Sequence, residues 1–226
     1  MAFAELTTRN NNHNDLVSNP SPRCPCMLVL DISGSMDGEP INALNAGVQA
    51  FIESLKDDEM ASFSVELGVI SAGGNVREEL PFTTACNVQS FRSLSATGTT
   101  PLGGAVDLAL RRLEERKAEY KRKGIAYYQP WLVIISDGSP TDSWQQAAQK
   151  SMALSQARRL VALPVGVDGA DIGILGQFSH RGAQTLNGLK FRELFTWLSA
   201  SMARVSASNS SSASVTLPAH DSWSSI

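Results

Sequence analysis

Met27-Leu28-Val29-Leu30-Asp31-Ile32-Ser33-Gly34-Ser35-Met36 joins a four-residue apolar run to a turn rich in side-chain oxygen. The same change of texture recurs where Trp131-Leu132-Val133-Ile134-Ile135 gives way to Ser136-Asp137-Gly138-Ser139-Pro140-Thr141-Asp142. Leu160 to Val167 is a third apolar run. Unbroken runs of this length suit central strands of a parallel sheet, covered on both faces. Helical patterns lie between them. Ile41, Leu44, Val48, Phe51, Ile52 and Leu55 fall on one face of a helix that starts near Pro40. Further helices are expected from Leu102 through Leu113, over Trp144 to Arg158, and over Phe191 to Met202. Ser62 to Ser71 and Val76 to Phe82, joined by Gly73-Gly74-Asn75, read as a strand pair at one sheet edge. The alternation predicts an α/β fold, a Rossmann-like three-layer sandwich. Its central sheet is mainly parallel, with one antiparallel edge strand and helices on both faces.

Composition bounds what such a fold can do. A chain of 226 residues fits one domain plus flanking segments: a polar leader over 1–24, the domain over 25–204, and a Ser-rich C-terminal tail over 205–226. Hydrophobic residues at 42% exclude a wholly disordered chain, and a net charge of −3 argues against nucleic acid as the main partner. No apolar run approaches the roughly 18–20 residues that span a bilayer. Met1 to Asn19 has neither a basic start nor an apolar segment, so no Sec-type signal peptide is read there and a cytoplasmic location is expected. Three cysteines are too few for a disulfide scaffold. Cys24-Pro25-Cys26, Cys86 and the scattered His13, His180 and His220 make no four-ligand zinc pattern, and the cysteines read as reduced, partly buried thiols.

In a sheet of this kind, ligands sit beyond the carboxyl ends of the strands. Two oxygen-rich loops follow the first and fourth strands. A third, Ala96-Thr97-Gly98-Thr99-Thr100-Pro101-Leu102-Gly103, precedes a helix on the same edge. Asp-x-Ser-x-Ser, a later Gly-Thr-Thr-Pro-Leu-Gly and a later Asp-Gly after an apolar strand resemble the metal-ion-dependent adhesion site (MIDAS) of von Willebrand factor type A (VWA) domains. The likeness extends through Gly38-Glu39-Pro40-Ile41, the loop to Asp142 and the closing helix from Phe191 to Ser201. That fuller set is similar to the TerY-like branch, associated in bacteria with tellurite-resistance and stress loci.

The resemblance implies one Mg²⁺, with Mn²⁺ or Ca²⁺ as substitutes, held by Asp31, Ser33, Ser35, Thr100 and Asp137. Ser33 and Ser35 would bind directly, the other three directly or through water. The residue chemistry agrees. Mg²⁺ takes near-octahedral oxygen ligands and keeps several waters. Gly34 lets the backbone bend sharply between two hydroxyls, and two carboxylates balance the ion without saturating it. A carboxylate from a protein partner can then complete the coordination. By the same resemblance, a protein kinase and a PP2C-type phosphatase are expected partners. Asp37, Glu39 and Asp142 lie near this edge but read otherwise: Glu39-Pro40 as a helix start, Asp142 as the cap of the helix that follows it.

Catalysis is not expected. The chain has no P-loop string and no Gly-x-Ser-x-Gly elbow, and Ser33 stands where a haloacid-dehalogenase-like phosphatase needs its second Asp. The alternative is a Mg²⁺-dependent hydrolase or phosphatase using the same strand-end site. Two other features are set apart. Arg111 to Lys123 carries seven basic and three acidic residues, a helix face able to dock an acidic partner, and the serines of the tail are potential phosphate acceptors.

Overall fold

The computed structural model describes residues 18–208, 215–219 and 222–225. His13, His220 and most of the polar leader lie outside the described residues. Strands β1 (Cys24–Asp31), β2 (Val65–Gly73), β3 (Asn75–Thr84), β4 (Trp131–Ser136), β5 (Val161–Gly166) and β6 (Gln184–Leu186) form one sheet in the order β3-β2-β1-β4-β5-β6. All neighbours are parallel except β3, which is the antiparallel edge strand on β2. A two-residue strand, β7 (Ser224–Ser225), adds antiparallel to β6 at the opposite edge.

Successive residues of a strand point to opposite faces. In β1, Cys26, Leu28 and Leu30 therefore enter one core and Met27 and Val29 the other. Helices α1 (Glu39–Asp57) and α6 (Phe191–Ser206) cover the first face, where Phe51 and Phe195 stack with ring centroids 5.4 Å apart. Helices α3 (Leu102–Lys123) and α4 (Gln145–Gln156) cover the second. The short helices α2 (Glu59–Ser64) and α5 (Ile172–Leu175) sit in connections. The three-layer sandwich expected from the apolar runs is the observed architecture.

Three local details differ from the sequence reading. Ser62 to Ser64 are helical, because the Asp58 carboxylate accepts hydrogen bonds from the Met60 and Ala61 amides (3.1 and 2.7 Å) and starts a turn that delays the strand. The Ser-rich stretch is more than a tail where it is described. Trp223 is fully buried beside Trp197, with ring centroids 5.4 Å apart, and Trp197 Nε1 donates to Pro218 O at 2.9 Å. The cysteines of β1 are core residues. Both are fully buried, Cys24 lies 3.6 Å from the Met202 sulfur, and burial pushes its thiol up to about 12, far from the thiolate a metal needs.

A charged cluster is enclosed where β1 and β2 begin. Glu66 and Arg23 are fully buried. The Glu66 carboxylate accepts from Arg116 Nε and Nη2 (2.6 and 2.7 Å) and from the Tyr120 hydroxyl, while Arg23 Nε lies 3.5 Å away. Most cations of the basic helix are spent in the same way. Arg112 pairs with Glu78 and Glu115, Arg116 also with Glu119, Lys117 with Glu114, and Lys123 with Glu119. Removing one partner of a buried pair strands the other charge. Glu66→Ala is therefore expected to cost about 3–5 kcal/mol, measurable as a lower urea midpoint with an unchanged m-value.

Candidate metal centre

Parallel register sets the site. Leu30 of β1 pairs with Ile135 of β4, so Asp31 and Ser136, the last residues of two neighbouring strands, end side by side. Ser136 Oγ donates to Asp31 Oδ2 at 2.5 Å, and the Ser33 amide donates to Asp31 Oδ1 at 2.9 Å. Both carboxylate oxygens are thus fixed. Past the strand ends, the chain turns through a short 3₁₀ segment, Gly34–Met36. This turn brings Ser33 Oγ within 3.0 Å of Ser35 Oγ, and Ser35 Oγ donates to Asp137 Oδ1 at 3.0 Å.

Thr100 arrives from the third loop. Its hydroxyl makes no hydrogen bond among the described residues and lies 3.9 Å from where a Cβ would stand on Gly138. The residue is 5% exposed. Two backbone bonds hold this loop against the others, Gly34 N to Gly98 O and Thr141 N to Thr100 O, both at 2.9 Å. Asp31, Ser33, Ser35 and Asp137, singled out from the sequence, thus meet at the strand ends, and the loop bonds hold Thr100 beside them. Ser136, which locks Asp31, was missed as a site residue; its only signal was its place between an apolar strand and Asp137.

Asp142 belongs to a different helix than expected. Its carboxylate accepts from the Gly103 and Gly104 amides at 2.9 and 2.8 Å, capping α3 instead of α4. The cap ties the β4 loop to the Thr100 loop, and a carboxylate also suits the positive end of a helix. Glu39 opens α1, as its place before Pro40 implied.

The donor set fits a hard divalent cation. Every converging group is an oxygen, two are carboxylates, and the rest bring no charge. Burial pushes the Asp31 carboxyl above its usual value, hydrogen bonds from Ser136 and Ser33 draw it partly back, and the charge of Asp137 adds a push of its own. A cation at the pocket would relieve both costs of ionisation at once.

The von Willebrand factor type A domain model matches residues 26–192. The chain belongs to this family. VWA domains are metal-binding protein-interaction modules, with a divalent ion at the MIDAS motif. No curated protein matches the chain. Among solved structures it is similar to a von Willebrand factor type A protein from Catenulispora acidiphila, at 17% identity and TM-score 0.62, covering 81% of this chain and 43% of that one. The pilus adhesin SpaC of Lactobacillus rhamnosus GG gives TM-score 0.66 at 12% identity, with 81% and 30% covered. Proximal thread matrix protein 1 of the mussel byssus, in a structure with a zinc-occupied MIDAS motif, gives 0.56 at 16%, with 81% and 48% covered. The chain thus spans less than half the length of each, and the likeness establishes the VWA fold.

Glycine at 98 is a requirement of the site. Its φ is +65°, and a Cβ there would stand 2.5 Å from the Gly74 Cα. Gly98→Ala should lower stability by about 1–3 kcal/mol, read from denaturant unfolding, and should loosen the Thr100 loop in hydrogen exchange before it affects β1.

Proposed function

We propose that Asp31, Ser33, Ser35, Thr100 and Asp137 hold one divalent cation, Mg²⁺ in the cell with Mn²⁺ or Ca²⁺ as substitutes. On this reading the chain is a metal-dependent adaptor that grips an acidic side chain of a protein partner. The observation that carries it is the hydrogen-bonded run from Ser33 through Ser35 to Asp137 beside a buried, doubly anchored Asp31. The zinc-occupied MIDAS of the mussel protein supports a divalent ion in this fold. Bound there, the ion supplies a Lewis-acidic point for a partner's carboxylate oxygen. The protein's task is to keep five oxygens aimed and the local charge low, so that the ion stays electrophilic.

The finer assignment is to the TerY-like branch. It rests on the Gly38-to-Ile41 segment, the Asp137-to-Asp142 loop and the closing helix. It implies a regulatory complex with a protein kinase and a PP2C-type phosphatase in a tellurite-resistance or stress pathway, in the cytoplasm. No helix among the described residues is long and apolar enough to cross a membrane. The reading assigns no catalysis; hydrolysis of phosphate or acyl esters that is lost in Asp31→Ala would replace the adaptor with an enzyme. Docking on the basic helix is the weaker competitor, because four of its cations are already paired within the fold.

Isothermal calorimetry gives the direct test. Asp31→Ala should abolish Mg²⁺ binding at millimolar concentration while the circular dichroism of the fold is kept; unchanged affinity would contradict the site. For the partner, a pull-down should need the metal. EDTA, or neutral replacement of one partner acid, should each weaken the complex by about 30-fold to several thousand-fold, the cost of breaking one charge-assisted contact of about 2–5 kcal/mol. A complex that survives EDTA but dissolves in moderate salt would point to screened surface charges instead.

A further inference from the structure

At the amino ends of β4 and β5, a cavity of about 720 Å³ opens on the pole opposite the carboxylates. Its size is that of small-molecule pockets, about 300–1,000 Å³. β4 separates the two sites, running from Trp131 at the cavity to Ser136 beside Asp31, roughly 16 Å at ~3.3 Å per residue. The lining is divided in character. Trp131, Val161 and Leu217 give apolar wall, whereas Arg158, His180 and Arg181 stand at the exposed mouth. Among the described residues no Asp or Glu lines it, in a chain whose net charge is −3. The cations of α3 are largely neutralised by neighbours, but neither Arg158 nor Arg181 has a side-chain partner among the described residues.

Arg158 carries an independent sign. Its φ is +53°, and it is the non-glycine residue with positive φ among the described residues. It stands just past the end of α4, where Arg158 N donates to Ser155 O (3.1 Å) and Arg159 N to Leu154 O (2.9 Å). Glycine ordinarily occupies this position, because a Cβ is disfavoured there. Here an arginine holds the strained conformation and its side chain borders the cavity. Strain of this kind is retained where the side chain has work to do. The other two groups are anchored. Ser155 Oγ lies 2.5 Å from His180 Nδ1, and the Arg181 amide donates to Ser179 Oγ, which itself donates to Ala162 O on β5.

We propose that this cavity binds a small amphipathic anion, with a carboxylate or phosphate head between Arg158 and Arg181 and an aryl or acyl body against Trp131, Val161 and Leu217. Two guanidiniums without counter-charge among the described residues select the head, since their planar donors match carboxylate and phosphate oxygens. The apolar wall adds contact for a body that a bare inorganic ion lacks.

The test uses the full chain in EDTA, so that the metal site takes no part. The fluorescent probes are 8-anilinonaphthalene-1-sulfonate, which is anionic, and neutral N-phenyl-1-naphthylamine. The sulfonate should bind at least about tenfold tighter than the neutral probe. The double variant Arg158→Gln, Arg181→Gln should lose about tenfold or more of sulfonate affinity while neutral-probe affinity holds. Arg158→Gly should also weaken the sulfonate yet raise the melting temperature by about 2 °C as backbone strain is relieved, which separates lost binding from lost folding. Phenyl phosphate or dodecanoate should displace the sulfonate, and the stronger competitor tells an aryl body from an acyl one. Equal affinity for the two probes, a sulfonate affinity untouched by loss of both arginines, or displacement by neither competitor would overturn the proposal.

Discussion

Two carboxylates are brought together at the ends of adjacent parallel strands, and one of them, Asp31, is fully buried. Burial disfavours its charged form and the charge of Asp137 disfavours it further. An arrangement so costly persists only where the surrounding structure over-determines it. The register of β1 against β4 leaves no freedom: Leu30 faces Ile135, so the next residues meet as Asp31 and Ser136. Core packing on both faces locks that register, because a slip of one residue would turn every apolar side chain of β1 to the wrong side. The hydrophobic sandwich is therefore what holds the charges in place.

The loops complete the constraint by approaching one another as backbone. Gly98 and Gly74 touch so closely that no side chain fits between them. Gly74 N donates to Thr99 O at 2.8 Å and Thr97 N to Ile32 O at 2.7 Å. The β2–β3 hairpin thereby braces the Thr100 loop, while Asp142 braces it from the other side through the α3 amides. An edge hairpin remote from the oxygen pocket in sequence is thus one of its supports. The pocket's hydroxyls are aimed by these contacts and not by their own hydrogen bonds alone.

Much of this was legible in the residue order. Continuous apolar runs marked β1, β4 and β5 because a strand buried on both faces has no polar side to alternate with. The residues that gather at the strand ends were legible because their signal is local: each loop carries its own short oxygen-rich string. What escaped has a common physical cause. Asp142 caps α3 although α4 follows it, since a cap is decided by spatial approach and sequence shows only succession. Trp223 is buried, although the serine-rich composition around it in the sequence shows no apolar pattern. Helix α2 depends on one aspartate cap, and the short β6 depends on its pairing with β5. Contacts decided by spatial approach leave little trace in pattern.

The carboxylates of the candidate metal centre and the arginines of the cavity lie at opposite ends of the sheet, and their placement follows from chain direction. Parallel strands collect their exit loops at one edge and their entry loops at the other. Here the exits carry Asp31 and Asp137, and the entries carry Arg158 before β5 and Arg181 before β6. The buried Glu66 cluster lies on the entry side too, but it is internally paired and exerts little field outward. The exit rim thus gathers Asp31 and Asp137, whereas Arg158 and Arg181 stand at the cavity on the entry rim. A parallel sheet makes this separation available at no cost in core packing, because both sets of groups sit on the rims and the apolar residues between them are unaffected by either.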